Sequence, residues 1–156
     1  MKLVLAESKY FKDSISIISE LVTEAKFNVS NNGLEMVAMD PANVAMVIFK
    51  MLSSCFTKYE IKETEEIAIN LNNLKQILRR AKSDDVLTLE TTEDNKLKIQ
   101  MKSNTTRSFS IPTLEIEDKE QKVPELTFPM TVEMNSGMLT EAIEDVSVVA
   151  ESVTFL

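Results

Sequence analysis

The feature that most constrains this chain is a pattern that recurs along it. Met1 to Glu7 holds Leu3, Val4 and Leu5 and suits a short strand, and Ser8 offers an N-cap to a helix beginning just after it. Phe11, Ile15, Ile18 and Val22 then fall at helical spacing, with Ile17 and Leu21 beside them, as the apolar stripe of one amphipathic helix. Residues 25–30 alternate as a strand. Asn31-Asn32-Gly33 makes a hairpin turn whose Asn-Gly pair tolerates positive φ, and residues 34–39 return. Asp40-Pro41 turns the chain again before the Val-, Ile-, Met- and Phe-rich strand at 44–52.

The same order then repeats. Residues 66–70 alternate as a strand. Leu71, Leu74, Ile77, Leu78 and Ala81 form a helical stripe that predicts a helix over 71–82, and strands follow at 86–91, 96–101 and 105–111 between Asp and Asn turns. A third copy opens with a strand at 128–134, a helix starting at Ser136-Gly137 with Met138, Leu139, Ala142, Ile143 and Val146 as its stripe, and a strand at 148–155. The helix starts lie about 63 and about 65 residues apart, too far for short solenoid repeats. The implied fold is α+β: repeated β-α-β-β-β units with helices on one face of antiparallel sheets. Two copies make a first domain at 1–112. The charged, Pro-containing stretch at 113–127 reads as a linker, and 128–156 as the start of a second, incomplete domain.

Composition narrows the chemistry. With no His and only two Gly, at positions 33 and 137, the chain carries neither imidazole catalysis nor a glycine-rich phosphate loop. Lone Cys55 forms no intrachain disulfide, so an intracellular, reducing compartment is the default: cytoplasmic, or nuclear in a eukaryote. Cys55 itself reads as a small core residue after a strand. No apolar run reaches the ~20 residues of a membrane span. The acidic pairs Glu65 and Glu66, Asp84 and Asp85, and Glu93 and Asp94 fall at strand edges and turns, where solvated carboxylates belong. A metal-dependent nuclease built on them is disfavoured, no nucleophile motif is present, and neither an enzyme nor a cofactor is expected.

Charge is unevenly placed. The net charge is −8, yet residues 1–82 carry 11 basic and 10 acidic side chains, whereas residues 83–156 carry 6 and 15. Within the near-neutral part, the polar positions of the second helix are Asn72, Asn73, Lys75, Gln76, Arg79, Arg80 and Lys82, a basic face with no acid. Lys75 and Arg79, one turn apart, repel by a few tenths of a kcal/mol. An anionic target is the natural explanation, although basic residues late in a helix also suit its dipole. Lys9 and Lys12 add to this from the first helix, diluted by Asp13 and Glu20. Met36, Met39, Met46 and Met51 flank the turn at 40–44, and methionines suit surfaces that accept varied apolar partners.

Taken in order, the stretch Met39-Asp40-Pro41-Ala42-Asn43-Val44 after the Gly33 hairpin, Phe56-Thr57-Lys58-Tyr59-Glu60, the run from Leu71-Asn72-Asn73-Leu74 to Arg79-Arg80-Ala81, and Val123-Pro124-Glu125-Leu126 resemble the proliferating cell nuclear antigen family of sliding clamps. The Asp-Pro version is most similar to archaeal members, and the likeness covers the whole chain. It implies the DNA-clamp fold and a ring of three two-domain subunits around double-stranded DNA. Such a ring tethers DNA polymerase, clamp loader, ligase and flap nuclease through short peptide motifs, in replication and repair.

Carried over by position, Lys12, Lys75, Arg79, Arg80 and Lys82 would face DNA. Met39, Asn43, Val44 and Met46, with Val123, Pro124 and Leu126 on the linker side, would form a peptide groove in which Gln121 replaces a frequent leucine. Thr105, Arg107, Phe109 and Ile111 would lie on the strand that pairs with a neighbouring subunit. Glu141, Glu144 and Asp145 depart from the family's basic third helix. Because the second domain is expected to stop at Leu156, this polypeptide alone is expected not to close a trimeric ring. The alternative from a different class is a free-standing adaptor that binds peptides and never touches DNA.

Overall fold

The structure is a computed structural model that describes residues 1–116 and 123–155. Positions 117–122, the centre of the expected linker and including Gln121, lie outside the described residues, as does Leu156. The chain divides into two units, Met1–Val123 and Pro124–Leu156.

In the first unit the order is β1 (Lys2–Leu5), α1 (Lys9–Leu21), β2 (Glu24–Ser30), β3 (Gly33–Met39), β4 (Met46–Leu52), a short 3-10 turn (Ser53–Cys55), β5 (Lys58–Glu60), β6 (Glu65–Asn70), α2 (Leu71–Leu78), β7 (Val86–Thr92), β8 (Lys96–Lys102) and β9 (Thr106–Pro112). The strands expected in this unit are present within about two residues at each end. The two sequence repeats do not, however, form one sheet each. They exchange their first strands: β1 pairs antiparallel with β7 of the second repeat, and β6 pairs antiparallel with β2 of the first. The resulting sheets are ordered β5-β1-β7-β8-β9 and β4-β3-β2-β6.

Period-two alternation decides which side chains face inward. Ala25, Phe27 and Val29 on β2, Leu34, Met36 and Ala38 on β3, and Leu97, Ile99 and Met101 on β8 are all buried. They join Phe11, Ile15 and Ile18 of α1 and Leu71, Leu74 and Leu78 of α2 in one core. Each large side chain buried there contributes roughly 1.5–3 kcal/mol. That burial stabilises α1 despite its many β-branched residues, since helices of this length draw most of their stability from packing.

Several local expectations change. Ser8 occupies the N-cap position but has helical dihedrals (φ −79°, ψ −11°) and its hydroxyl makes no capping bond. A cap requires extended backbone there for the oxygen to reach the first amides. Ile17 and Leu21 are 68% and 47% exposed. With Phe11, Ile15 and Ile18 set inward and α2 against one flank, the 3.6-residue period puts Ile17, Leu21 and Tyr10 on the other flank. Cys55 is exposed, because it sits in the 3-10 turn beyond β4, and Phe56 enters the core in its place.

In the second unit, α3 (Ser136–Ser147) forms where expected, with the Asn135 side chain accepting the Gly137 amide at 2.8 Å. The strands expected at 128–134 and 148–155 do not form. Phe128, Met130 and Val132 alternate correctly yet are 70–76% exposed. A strand requires a hydrogen-bonded neighbour, and none pairs with these segments among the described residues. Among those residues, too, no helix is long and apolar enough to cross a membrane.

Candidate functional site

The basic end of α2 is built from its first residue onward. Asn70 caps the helix by accepting the Asn73 amide at 3.1 Å, and Leu71, Leu74 and Leu78 bury one face. The helix ends at Leu78, four residues short of the expected 82. Arg79 is its C-cap, and the next amides make tighter bonds, Arg80 to the Ile77 carbonyl (2.9 Å) and Ala81 to the Leu78 carbonyl (3.0 Å). Carbonyls left without partners at a helix end attract cations. Here Lys12 Nζ donates to the Ala81 carbonyl at 3.2 Å, and Arg107 Nη1 donates to the Arg80 carbonyl at 2.7 Å.

The five cations proposed from sequence therefore divide. Lys75 is only 12% exposed and is paired with Glu20 of α1. That pairing, first through the hydrogen bond and then through charge, holds the Glu20 carboxyl below its ordinary range. The acid-free basic face read from the helix alone is thus corrected: an acid arrives from a neighbouring helix 55 residues away. Lys12 is half-buried and occupied with a carbonyl. Arg79, Arg80 and Lys82 are exposed and present the positive charge of this surface.

Asp85, expected to be a solvated turn residue, is 0% exposed. Its Oδ2 accepts the Lys82 amide at 2.7 Å and its carboxylate pairs with Arg107. The Lys82 amide, ahead of Arg107 and Ser103, holds its carboxyl below the ordinary range against the opposing effect of burial. Sequence reasoning placed this residue with Asp84 among the solvated turn acids and missed its burial.

The loop between β3 and β4 is organised by Asp40. Its Oδ1 accepts the Val44 and Ala45 amides at 2.7 and 2.8 Å, its amide donates to the Ala45 carbonyl, and Asn43 takes a left-handed φ of +57°. Asn tolerates that conformation better than most residues. Strand parity separates the four methionines. Met36 is buried and Met51 packs on the core, whereas Met39 and Met46 pair across the outer face, next to the pair Val37 and Ile48. Val44 is 84% exposed at the loop tip, and Ile48 is a further exposed apolar residue of this face that sequence reasoning passed over. Val123 is 47% exposed at the end of the first unit, and Pro124 and Leu126 are exposed residues of the second.

Asp40 carries a prediction. Its carboxyl is held below 3.8, first by the Ala45 amide, so its contribution to loop order is complete above that value and is lost as the pH falls through the depressed pKa. Asp40→Ala is expected to speed amide exchange at Val44 and Ala45 at neutral pH while leaving core amides protected. Unchanged exchange would show that the loop holds its shape without the carboxylate.

β9 is the end strand of its sheet, bonded to β8 on one side. Arg107, Phe109 and Ile111 point toward the core side, while Thr105 is exposed just before the strand. Arg107 is thus engaged within its own unit. The acidic pairs are also largely spoken for: Glu65 takes the Met1 ammonium at 2.9 Å, Glu66 lies 3.2 Å from Lys26, and Asp94, paired with Lys96 and Thr92, is lowered to about 2. Among the described residues no three such groups converge as metal ligands.

Comparison with known proteins places these features in context. Residues 1–123 match the family model described as proliferating cell nuclear antigen, N-terminal domain. The chain is 37% identical over 155 residues to the DNA polymerase sliding clamp of Pyrococcus furiosus, and equally to that of Thermococcus gammatolerans. Each alignment covers 99% of this chain and 62% of the relative, so the chain spans less than two thirds of their length. The crystal structure of PCNA from Thermococcus kodakaraensis superposes with a TM-score of 0.89 at 27% identity, over 96% of this chain and 61% of that one. A PCNA2–PCNA3 complex from Sulfolobus tokodaii shares the fold at a TM-score of 0.87 and 20% identity, over the same shares of the two chains.

Proposed function

This chain belongs to the proliferating cell nuclear antigen family, and from that premise we propose that it acts as part of a DNA sliding clamp, a non-enzymatic tether for replication and repair proteins. The observation that carries the reading is the trio Arg79, Arg80 and Lys82, exposed together at the end of α2 on a chain whose net charge is −8. Long, flexible cations that touch only phosphates hold a duplex without reading its sequence, which is what sliding requires. The surrounding acidic charge keeps the protein from sticking.

The remaining roles follow the same reading. The outer face around Met39, Asn43, Val44 and Met46 is the proposed seat for short apolar and aromatic peptides from a polymerase, clamp loader, ligase or flap nuclease; Val123, Pro124 and Leu126 are proposed for the same role from the resemblance alone. The backbone edge of β9 offers a neighbouring strand the unpaired amides and carbonyls that β-addition uses, in a ring of three subunits. A domain at 1–112, a connector at 113–127 and the opening of a second domain from 128 is the proposed organisation.

The test is direct. Duplex DNA titrated with this chain should bind weakly, without sequence preference, and with log K falling linearly against log salt. Failure to associate at low ionic strength, or a marked preference for one sequence, would sink the DNA reading. Peptide binding that survives in the absence of any DNA association would favour the stand-alone adaptor, for which the independently built Asp40 loop is the supporting feature.

A further inference from the structure

We infer that the peptide seat at the Asp40 loop continues one rung further along the seam of β3 and β4, onto Val37 and Ile48, and that these two residues select a partner peptide that runs on in extended form with apolar side chains at alternate positions. The inference rests on the peptide reading above and adds to it the chemistry of the peptide. Pairing fixes the rungs of this face. Met39 stands opposite Met46, Val37 opposite Ile48 and Glu35 opposite Lys50. Since Leu34, Met36 and Ala38 are buried, the alternate positions 35, 37 and 39 face outward. Val37, Met39 and Met46 are half-buried, Ile48 is 47% exposed, and Val44 extends the strip at the loop tip.

The rest of the same sheet face is different. Outward positions are Glu24, Lys26 and Asn28 on β2, and Glu66, Ala68 and Asn70 on β6. Lys26 lies 3.2 Å from Glu66, and Lys50 lies 3.6 Å from Glu35. Scattered exposed apolar residues need no explanation, but a contiguous strip bounded by ion pairs marks a contact surface. Five side chains offer on the order of a few hundred Å², short of the roughly 800 Å² per partner that a stable folded interface covers. A narrow peptide therefore fits the strip better than a second copy of the chain. Alternate residues of a strand lie about 7 Å apart on one face. A peptide laid along the seam has the same interval, so its alternate side chains stay in step with the two apolar rungs. The preference ends at the third rung, where an apolar side chain would strip water from Glu35 and Lys50.

Fluorescence anisotropy with short labelled peptides tests this. Each peptide carries two Phe as its aromatic anchor, and the segment before or after the anchor is either Leu-Ser-Leu or Ser-Ser-Ser. In one of the two orientations the leucine peptide should bind about threefold to tenfold tighter than its serine twin, the effect of covering a modest apolar area. The double variant Val37→Thr with Ile48→Thr keeps β-branched residues suited to a strand. It should erase that difference while leaving the affinity of the serine twin unchanged within about twofold. Urea unfolding checks that the variant is folded; if it is not, Ile48→Thr alone, at the more exposed position, should still shrink the difference. Leucine peptides that bind no tighter than their twins overturn the inference and leave the peptide reading standing, provided that the twins bind. A difference that survives the double variant also overturns it. If no peptide binds, the peptide reading falls and the inference with it. A variant that lowers the molecular mass seen by light scattering without altering peptide preference would assign the strip to a second copy of the chain, against the inference.

Discussion

Gly33→Ala is expected to cost this protein a large share of its stability. Gly33 opens β3 directly after the two-residue Asn31-Asn32 turn and has φ +152°, a conformation that L side chains rarely adopt. A Cβ added there would sit inside the van der Waals envelope of the Met51 carbonyl oxygen and 2.9 Å from Leu52 Cα. Both are backbone atoms of β4, the strand that pairs with β3 through Gly33 with Leu52 and Leu34 with Met51. Backbone in a paired strand cannot swing aside as a side chain does, so β3 and β4 must separate. The backbone conformation alone costs about 1–3 kcal/mol. With the clash added, the loss should be at least about 3 kcal/mol, against a total stability on the order of 5–15 kcal/mol. Urea unfolding followed by circular dichroism measures it directly. Asn32→Ala, in the same turn without a positive φ, serves as the comparison and should cost far less. A midpoint for Gly33→Ala that matches the unmodified chain would show that β3 and β4 do not approach so closely. The same hairpin carries Met39 and Met46 at its far end, so the variant should also weaken peptide capture there.

Removing Arg79, Arg80 and Lys82 together should abolish most of the salt-dependent association with DNA while leaving the fold intact. All three are exposed, and substitutions at such positions usually change stability by no more than about 0.5 kcal/mol each. Every phosphate that is no longer neutralised should reduce the slope of log K against log salt by about 0.9, so the triple alanine variant should lose up to about 2.7. Lys75→Ala is the informative control. Its side chain is mostly covered and its ammonium is paired with Glu20, so its removal frees a negative charge but withdraws little from the proposed DNA-facing surface, and the slope should fall by clearly less than about 0.9. A triple variant with the original slope would show that phosphates meet some other face. A Lys75 variant with the largest effect of all would show that the Glu20 pair opens when DNA arrives.

The contrast between Lys75 and Arg79 marks how far a sequence can be read. Both fall at helical spacing on the polar side of the stripe read from sequence, and nothing local separates them. Glu20, the residue that separates them, lies 55 positions earlier on another helix. Asp85 teaches the same lesson with the opposite sign: it is one of two adjacent acids in a turn, and only the arrival of Arg107 from β9 makes burial of one of them tolerable. The methionines, by contrast, were separable in principle. Counting by twos from Met36 and from Met46 sends Met36 inward and Met46 outward once the strand limits are known.

What the sequence by itself determined is everything carried by short-range periodicity and by residues with special backbone freedom. The inward stripe of α2, the alternation of the strands in the first unit, the turns at Asn31-Asn32-Gly33 and Asp40-Pro41 and the α+β class were legible from it, because a period of 3.6 or 2.0 residues needs no knowledge of what lies across the core; the family was legible from the order of its short motifs. Only the tertiary structure decided that β1 and β6 exchange sheets, that α2 stops at Leu78, and that Lys12, Lys75 and Arg107 are occupied inside the first unit while Arg79, Arg80 and Lys82 face outward. Those outcomes depend on which distant group arrives to satisfy a strand edge, a bare carbonyl or a buried charge. Partners brought together from 27 to 69 residues apart leave no trace in the local pattern.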